Sequence, residues 1–370
     1  MKFTQYPRAN IATLPTPIQH LPRLTKKLDG PQIYIKRDDL TGLAFGGNKA
    51  RKLEYIMAEA LQQKADTIVT GAGYHSNWCT QTVAAAKKLG LDIYLVKSAP
   101  HEDYEGKTWD GNHLLHHLMG AHIKTVRPEK FKETMDATME QLKKQGKNPY
   151  YVPVGGSDPT GASAYMNAVL ETTYQANDMG IHFKSLIHAT GSGGTQAGLV
   201  MGAKAFNTGM QVIGAAVGYT PKEEQIEKVR QIVQDSKKKY DLDFTLKEGD
   251  ITVYNEYVRG GYGYMSEPKL EAVQMLAETE GILIDPVYTA TAMACLIDLV
   301  RKNIWKKTHQ LCVRLFFLIF CTGNGGFLPF AEERLKPGPD HEKPIAHEQM
   351  PCTSAHSTDV SFNLQGAGTY

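Results

Sequence analysis

Long hydrophobic runs are missing from this chain of 370 residues. The longest apolar block, LFFLIF (315–320), is far too short to span a bilayer and has Arg314 at its edge, so it reads as a buried strand. The N-terminal MKFTQYPRAN has no apolar signal core, which leads us to expect a cytoplasmic protein. Cysteine is scarce and odd in number. Cys79, Cys295, Cys312, Cys321 and Cys352 form no C-x-x-C pair, so neither a disulfide framework nor a zinc site is expected. An excess of one charge is also lacking: the net charge is +2 and the basic residues are mixed with acids. That balance gives no electrostatic case for nucleic acid or an anionic membrane as partner. The run Lys237–Lys239 reads as a solvated helix face. No repeat of fixed period is present. Beyond about Leu335 apolar periodicity stops, and residues 336–370, rich in Pro, His, Ser and Thr, are expected to form a disordered tail. Its His341, His347, Cys352 and His356 are too irregularly spaced for a metal site.

What the chain does have is alternation. QIYIKRDD (32–39), ADTIVTGAG (65–73), LDIYLVKS (91–98), SLIHATGSGG (185–194), VIGAAVG (212–218) and ITVYNEYV (251–258) carry strand-forming residues. Helical spacing follows several of them: Leu53, Ile56, Met57, Ala60 and Leu61 after the first, Val83 to Ala86 after the second, TQAGLVMGAKAF after the fourth. Ser266 is read as the cap of a further helix and Gly281 as its close. Such alternation predicts an α/β fold with mostly parallel sheets, and the length allows two domains.

Chemistry gathers at the edges between elements. Lys49 stands in GGNKARKLE (46–54), where Gly46 and Gly47 let the backbone turn between strand and helix. A lysine there can be a solvated charge, a phosphate contact or an amine nucleophile. GSGGT (191–195) sits between a strand and a helix, a setting in which successive N–H groups and the helix terminus make an anion seat. It is neither a dinucleotide fingerprint nor a Walker loop, because Gln196 breaks the first spacing and no Gly-Lys-Ser/Thr follows. Ser76 in YHSNW (74–78) is an N-cap or a hydroxyl offered to a ligand, with His75 and Asn77 beside it. DPVYTAT (285–291) places Tyr288 and Thr289 at a helix entrance, GYG (261–263) sets Tyr262 between glycines, and Thr322 in CTGNGG (321–326) follows a strand.

Taken in order, LPTPIQHLPRL (14–24), IYIKRDDLTGLAFGGNKARKLE (33–54), HSN (75–77), VPVGGS (152–157), GSGGTQAGL (191–199), GYG and DPVY resemble one family. It is the pyridoxal-phosphate-dependent family containing D-cysteine desulfhydrase and 1-aminocyclopropane-1-carboxylate deaminase, of the tryptophan-synthase-β fold type. The resemblance implies two open α/β domains with pyridoxal 5'-phosphate in the cleft between them. Residues 1–50 with 165–335 would form the large cofactor-binding domain and 51–164 the small one. It implies Lys49 as the Schiff-base lysine and Gly191, Ser192, Gly193, Gly194 and Thr195 as the phosphate seat. Asn77 would contact the pyridine hydroxyl, Ser76 and Tyr288 would face the substrate, and Tyr262 would line its pocket. Family deaminases carry Glu after the DPVY tyrosine and Leu in the last turn; Thr289 and Thr322 here match the desulfhydrases, and with them elimination of sulfide from D-cysteine. The expected partner is a small amino-acid substrate, and the expected assembly a homodimer. His75, Trp78, Thr291 and Cys321 depart from the family pattern, all towards the substrate side. A deaminase, a lyase of another β-substituted amino acid, or a catalytically silent cofactor-binding protein are the alternatives.

Overall fold

The computed structural model describes residues 6–99, 111–258 and 260–315. The block 316–320, Cys321, Thr322 with its turn, and the tail therefore lie outside the described residues. In chain order the strands are β1 (Ile18–His20), β2 (Gln32–Arg37), β3 (Thr67–Gly73), β4 (Asp92–Ser98), β5 (His122–Val126), β6 (Pro149–Tyr151), β7 (Phe183–Thr190), β8 (Gln211–Ala216), β9 (Thr252–Tyr254) and β10 (Gln310–Leu315). The helices are α1 (Pro22–Leu28), α2 (Lys49–Gln62), α3 (Asn77–Lys88), α4 (Gly111–Leu118), α5 (Phe131–Lys144), α6 (Pro159–Asp178), α7 (Gly194–Ala205), α8 (Lys222–Tyr240), α9 (Glu267–Glu280) and α10 (Thr289–Arg301).

Two sheets result. The larger runs β1-β2-β10-β7-β8-β9 and the smaller β5-β4-β3-β6. Every pairing is parallel except β1 with β2. The period-two alternation of each strand feeds two cores in the larger sheet. Ile33, Ile35, Ile187, Ile213, Leu311 and Val313 face α1, α9 and α10, whereas Tyr34, Leu186, Val212 and Cys312 face α6, α7 and α8. Both faces being covered, these strands read as continuous apolar runs. In the smaller sheet Ile68, Ile93 and Leu95 pack with α2 and α3, and Val69 and Val96 with Met135 and Leu142 of α5.

A buried ion network ties the larger sheet to α2 and α6. Asp38, just after β2, accepts from Arg51 Nη2 at 2.9 Å, Arg314 Nη1 at 2.6 Å, Thr16 Oγ1 at 2.9 Å and Tyr165 OH at 3.1 Å. Glu171 of α6 accepts from Arg51 at 2.8 Å and from Lys36 Nζ at 2.5 Å. Burial alone would raise the Asp38 carboxyl, but Arg314 and Arg51 outweigh it and hold the group well below the ordinary range.

Two expectations need correction. ITVYNEYV is a strand only over Thr252–Tyr254: residues 256–258 tighten into a turn that buries Tyr257 and gives its hydroxyl to Asp298 at 2.5 Å. Ser266 occupies the cap position of α9, yet its hydroxyl makes no capping bond. Of the strand expected at 315–320 only Leu315 is described, and it closes β10 (Gln310–Leu315).

Candidate active site

The carboxyl ends of β3, β4, β7 and β8 open onto one cleft of about 540 Å³, lined from both sheets. Parallel strands deliver loops and helix N-termini to that edge, which is where ligands bind in open α/β sheets. Lys49 is the first residue of α2 and lines the cleft, with Asn48 before it as cap. Burial lowers the Lys49 ammonium to about 8, and no hydrogen bond or ion pair among the described residues holds its Nζ. A lysine that is partly neutral near physiological pH is a competent nucleophile and base.

Facing it is the turn after β7. Gly193 has φ of 86°, a backbone conformation that costs other residues, and Gly194 opens α7. A Cβ at Gly194 would stand 2.7 Å from Ser157 Cα and 3.0 Å from Lys52 Nζ, so the cradle has room for glycine alone. Ser157 Oγ donates to Ser192 Oγ at 2.6 Å, and Asn48 Nδ2 reaches Thr195 Oγ1 at 3.4 Å. Lys52 is the residue that sequence reasoning missed. It is fully buried, donates to Gly155 O at 3.0 Å and has no carboxylate at ion-pair distance among the described residues. Burial first, and the neighbouring Lys49 second, push it well below the usual lysine range, against a smaller pull from Asp158. A buried lysine with no ion-paired carboxylate among the described residues to offset its charge, beside a helix N-terminus and a glycine turn, fits a phosphate group. Its sequence signal was present: Lys52 lies three residues after Lys49, on the same face of a helix.

The opposite wall is YHSNW. Ser76 is the N-cap of α3, its Oγ accepting from Cys79 N at 3.3 Å, and it also lines the cleft. His75 and Asn77 line the cleft beside it. Trp78 does so too, while donating to Thr70 Oγ1 at 3.0 Å and packing in the core. At the mouth, the Tyr262 and Tyr288 hydroxyls lie 2.8 Å apart with their rings edge to face, and Tyr262 is 63% exposed. Asp285 organises this corner. Its carboxylate accepts from Val287 N at 3.0 Å, Tyr288 N at 2.6 Å, Thr289 N at 2.9 Å and Thr289 Oγ1 at 2.5 Å. Burial raises its carboxyl even so.

The structure thus brings Lys49, His75, Ser76, Asn77, Gly191, Ser192, Gly193, Thr195, Tyr262 and Tyr288 onto one surface. Gly194 stands directly behind it at the start of α7. Thr289 does not join them: it is fully buried with its hydroxyl on Asp285, and the cleft wall ends at Tyr288. Consecutive helical residues point about 100° apart, so the position after Tyr288 turns inward.

An open α/β protein with a glycine turn and helix N-terminus opposite a half-buried, partly neutral lysine fits a phosphorylated aldehyde or a similar electrophile. The profile of the family described as pyridoxal-phosphate dependent enzyme matches residues 10–314, and the chain belongs to that family, with pyridoxal 5'-phosphate as its cofactor. D-cysteine desulfhydrase of Klebsiella pneumoniae (strain 342) is 38% identical over 309 residues, spanning 82% of this chain and 92% of that one. A Pyrococcus furiosus protein provisionally named 1-aminocyclopropane-1-carboxylate deaminase is 38% identical over 305 residues, 81% of this chain and 89% of its own. Among solved structures, an ACC deaminase homologue superposes with a TM-score of 0.77 at 32% identity, covering 90% of this chain and 96% of the other. A pyridoxal 5'-phosphate-dependent aspartate racemase shares the fold at 17% identity, with a TM-score of 0.61.

Proposed function

We propose that the protein is a carbon–sulfur lyase that converts D-cysteine and water to pyruvate, ammonia and hydrogen sulfide. One observation carries the choice of substrate. Among the described residues lining the cleft Asp285 is the only carboxylate, and its oxygens already accept four donors of its own loop. Pyridoxal phosphate, when bound, supplies an electron sink for the pair left on the α-carbon, and a carboxylate at its ring nitrogen would strengthen that sink. Expelling sulfide after loss of an α-proton needs a weaker sink than opening a cyclopropane that has no α-hydrogen. A cleft with no spare carboxylate favours the former. The name carried by the Klebsiella relative agrees with this choice.

The residues then take these roles. The Gly191–Thr195 turn and Lys52 would hold the phosphate, and Lys49 Nζ would be the covalent anchor. Asn77 would donate to the ring oxygen. Lys49 Nζ, released when the substrate amine takes its place on the cofactor, would take the proton from the substrate α-carbon. Ser76 and Tyr288 orient the substrate carboxylate, and the Tyr262 hydroxyl fixes that of Tyr288. The C–S electron pair leaves with sulfur, which collects a proton, and the released enamine hydrolyses in water to pyruvate and ammonia.

Incubation with D-cysteine should release sulfide and pyruvate in equal amounts, with 1-aminocyclopropane-1-carboxylate turned over at least tenfold more slowly. Robust deamination of the cyclopropane with no sulfide from D-cysteine would reverse the choice between the two activities. A visible cofactor band that no amino acid perturbs would mark a silent binding protein instead.

A further inference from the structure

Asn112 lies in α4, on an element that contributes nothing to the cleft wall among the described residues, and is 1% exposed. Its Nδ2 stands 2.8 Å from His75 O and 2.7 Å from Asn77 Oδ1. The polarity of this chain follows from chemistry alone. A backbone carbonyl only accepts, so the Asn112 atom facing His75 must be the amide nitrogen. The second N–H of that nitrogen then reaches Asn77, whose facing atom must be its oxygen. The Asn77 nitrogen is left to point away from Asn112. Asn77 is the first residue of α3 and lines the cleft.

We infer that Asn112 is a positioning residue that locks the Asn77 amide with its N–H donors turned to the cleft, so that this position binds an oxygen anion and rejects a hydroxyl donor. The inference rests on the proposed contact between Asn77 and the ring oxygen of pyridoxal phosphate. An amide free to flip would accept as readily as donate; one fixed by the His75 carbonyl cannot. The ionised ring oxygen is thereby selected at this position, and the selection originates in a residue that never meets the cofactor.

Apo-protein titrated with pyridoxal phosphate, read by fluorescence quenching and by the pH midpoint of the visible band, tests this with four proteins: wild type, Asn112→Asp, Asn77→Ala and the double variant. Asn112→Asp keeps the shape but cannot donate, so Asn77 turns its oxygen to the cleft. The dissociation constant should rise at least tenfold and the pH midpoint should shift. On the Asn77→Ala background the same change should add less than twofold. In cofactor-free wild-type protein the Asn112 side-chain amide protons should exchange slowly by NMR. Asn112→Ala, checked by circular dichroism, replaces Asn112→Asp if the latter does not fold, and should weaken binding only while Asn77 is present. An Asn112 effect undiminished in the Asn77→Ala background overturns the inference and leaves the cofactor contact standing. An unchanged dissociation constant in Asn77→Ala alone removes that contact, and the inference with it.

Discussion

Lys49 and Lys52 differ in accessibility by one turn of α2, and the difference supports separate roles for them. Lys49 lines the cleft, whereas Lys52 is sealed beneath the glycine turn with its proton donated to Gly155 O. Borohydride reduction of the holoenzyme should fix the cofactor on Lys49; peptide mapping that finds it on Lys52 would overturn the assignment. Lys49→Ala should lower turnover by at least about 10³-fold, because one amine serves as both anchor and base. Two glycines and a helix start bracket Lys49 in the sequence and mark its place, while its proposed role as anchor comes from the family resemblance. Lys52 was equally visible as a letter, but its meaning depends on burial, which spacing does not report. Thr289 failed for the complementary reason. It neighbours Tyr288 in sequence, and the helix then turns it onto Asp285.

At the scale of elements, the junction between β7 and α7 was read correctly because its signals are local: β-branched residues, then glycines, then helical spacing. Gly193→Val tests its role. Adopting φ of 86° costs a non-glycine residue about 1–2 kcal/mol. Cofactor affinity measured by equilibrium dialysis should accordingly fall roughly tenfold. Unchanged affinity would make the turn purely structural. The α4 helix, by contrast, left no functional mark in the sequence, since its contacts with YHSNW are tertiary. Its His116 is buried against Thr80 Oγ1 at 3.0 Å, and burial, then Lys97, pushes its imidazole down to about 2; His113 falls to about 4 for the same causes. Both are neutral in the fold and titrate near 6.5 when unfolded, so the unfolded chain binds more protons below that value. Their cost is absent at neutral pH and grows as pH falls from 6.5 towards 4. Urea midpoints should drop over that interval, and His116→Gln should flatten the drop; an equal slope in the variant would exclude His116 as its source.

On the whole molecule, the two-domain division we propose, 1–50 with 165–335 and 51–164, follows the sheets, since all four strands of the smaller one lie between Thr67 and Tyr151. The Asp38 network was not legible as a whole: Lys36, Asp38 and Arg51 share the 33–54 motif, but Tyr165 and Glu171 of α6 and Arg314 of β10 join them only in the fold. Asp38→Ala would leave Arg314 buried without a carboxylate and Arg51 with Glu171 alone, a loss of about 3–5 kcal/mol by chemical denaturation. Since the folded carboxyl is held below its unfolded value, this stabilisation is present at neutral pH and is lost as pH falls below the ordinary carboxylate range. A variant as stable as wild type would show that the network contributes nothing net.

The place of β10 has a consequence for how the chain comes into being. β10 lies inside the larger sheet, hydrogen-bonded to β2 on one side and β7 on the other. On a ribosome β2 emerges early and β10 near the end, so throughout synthesis β2 and β7 present open edges towards each other with the strand between them still unmade. The smaller sheet suffers no such delay, as its strands follow one another closely. A nascent chain of this protein therefore holds one finished half and one waiting half, and its need for chaperones is concentrated in the interval before Gln310 appears.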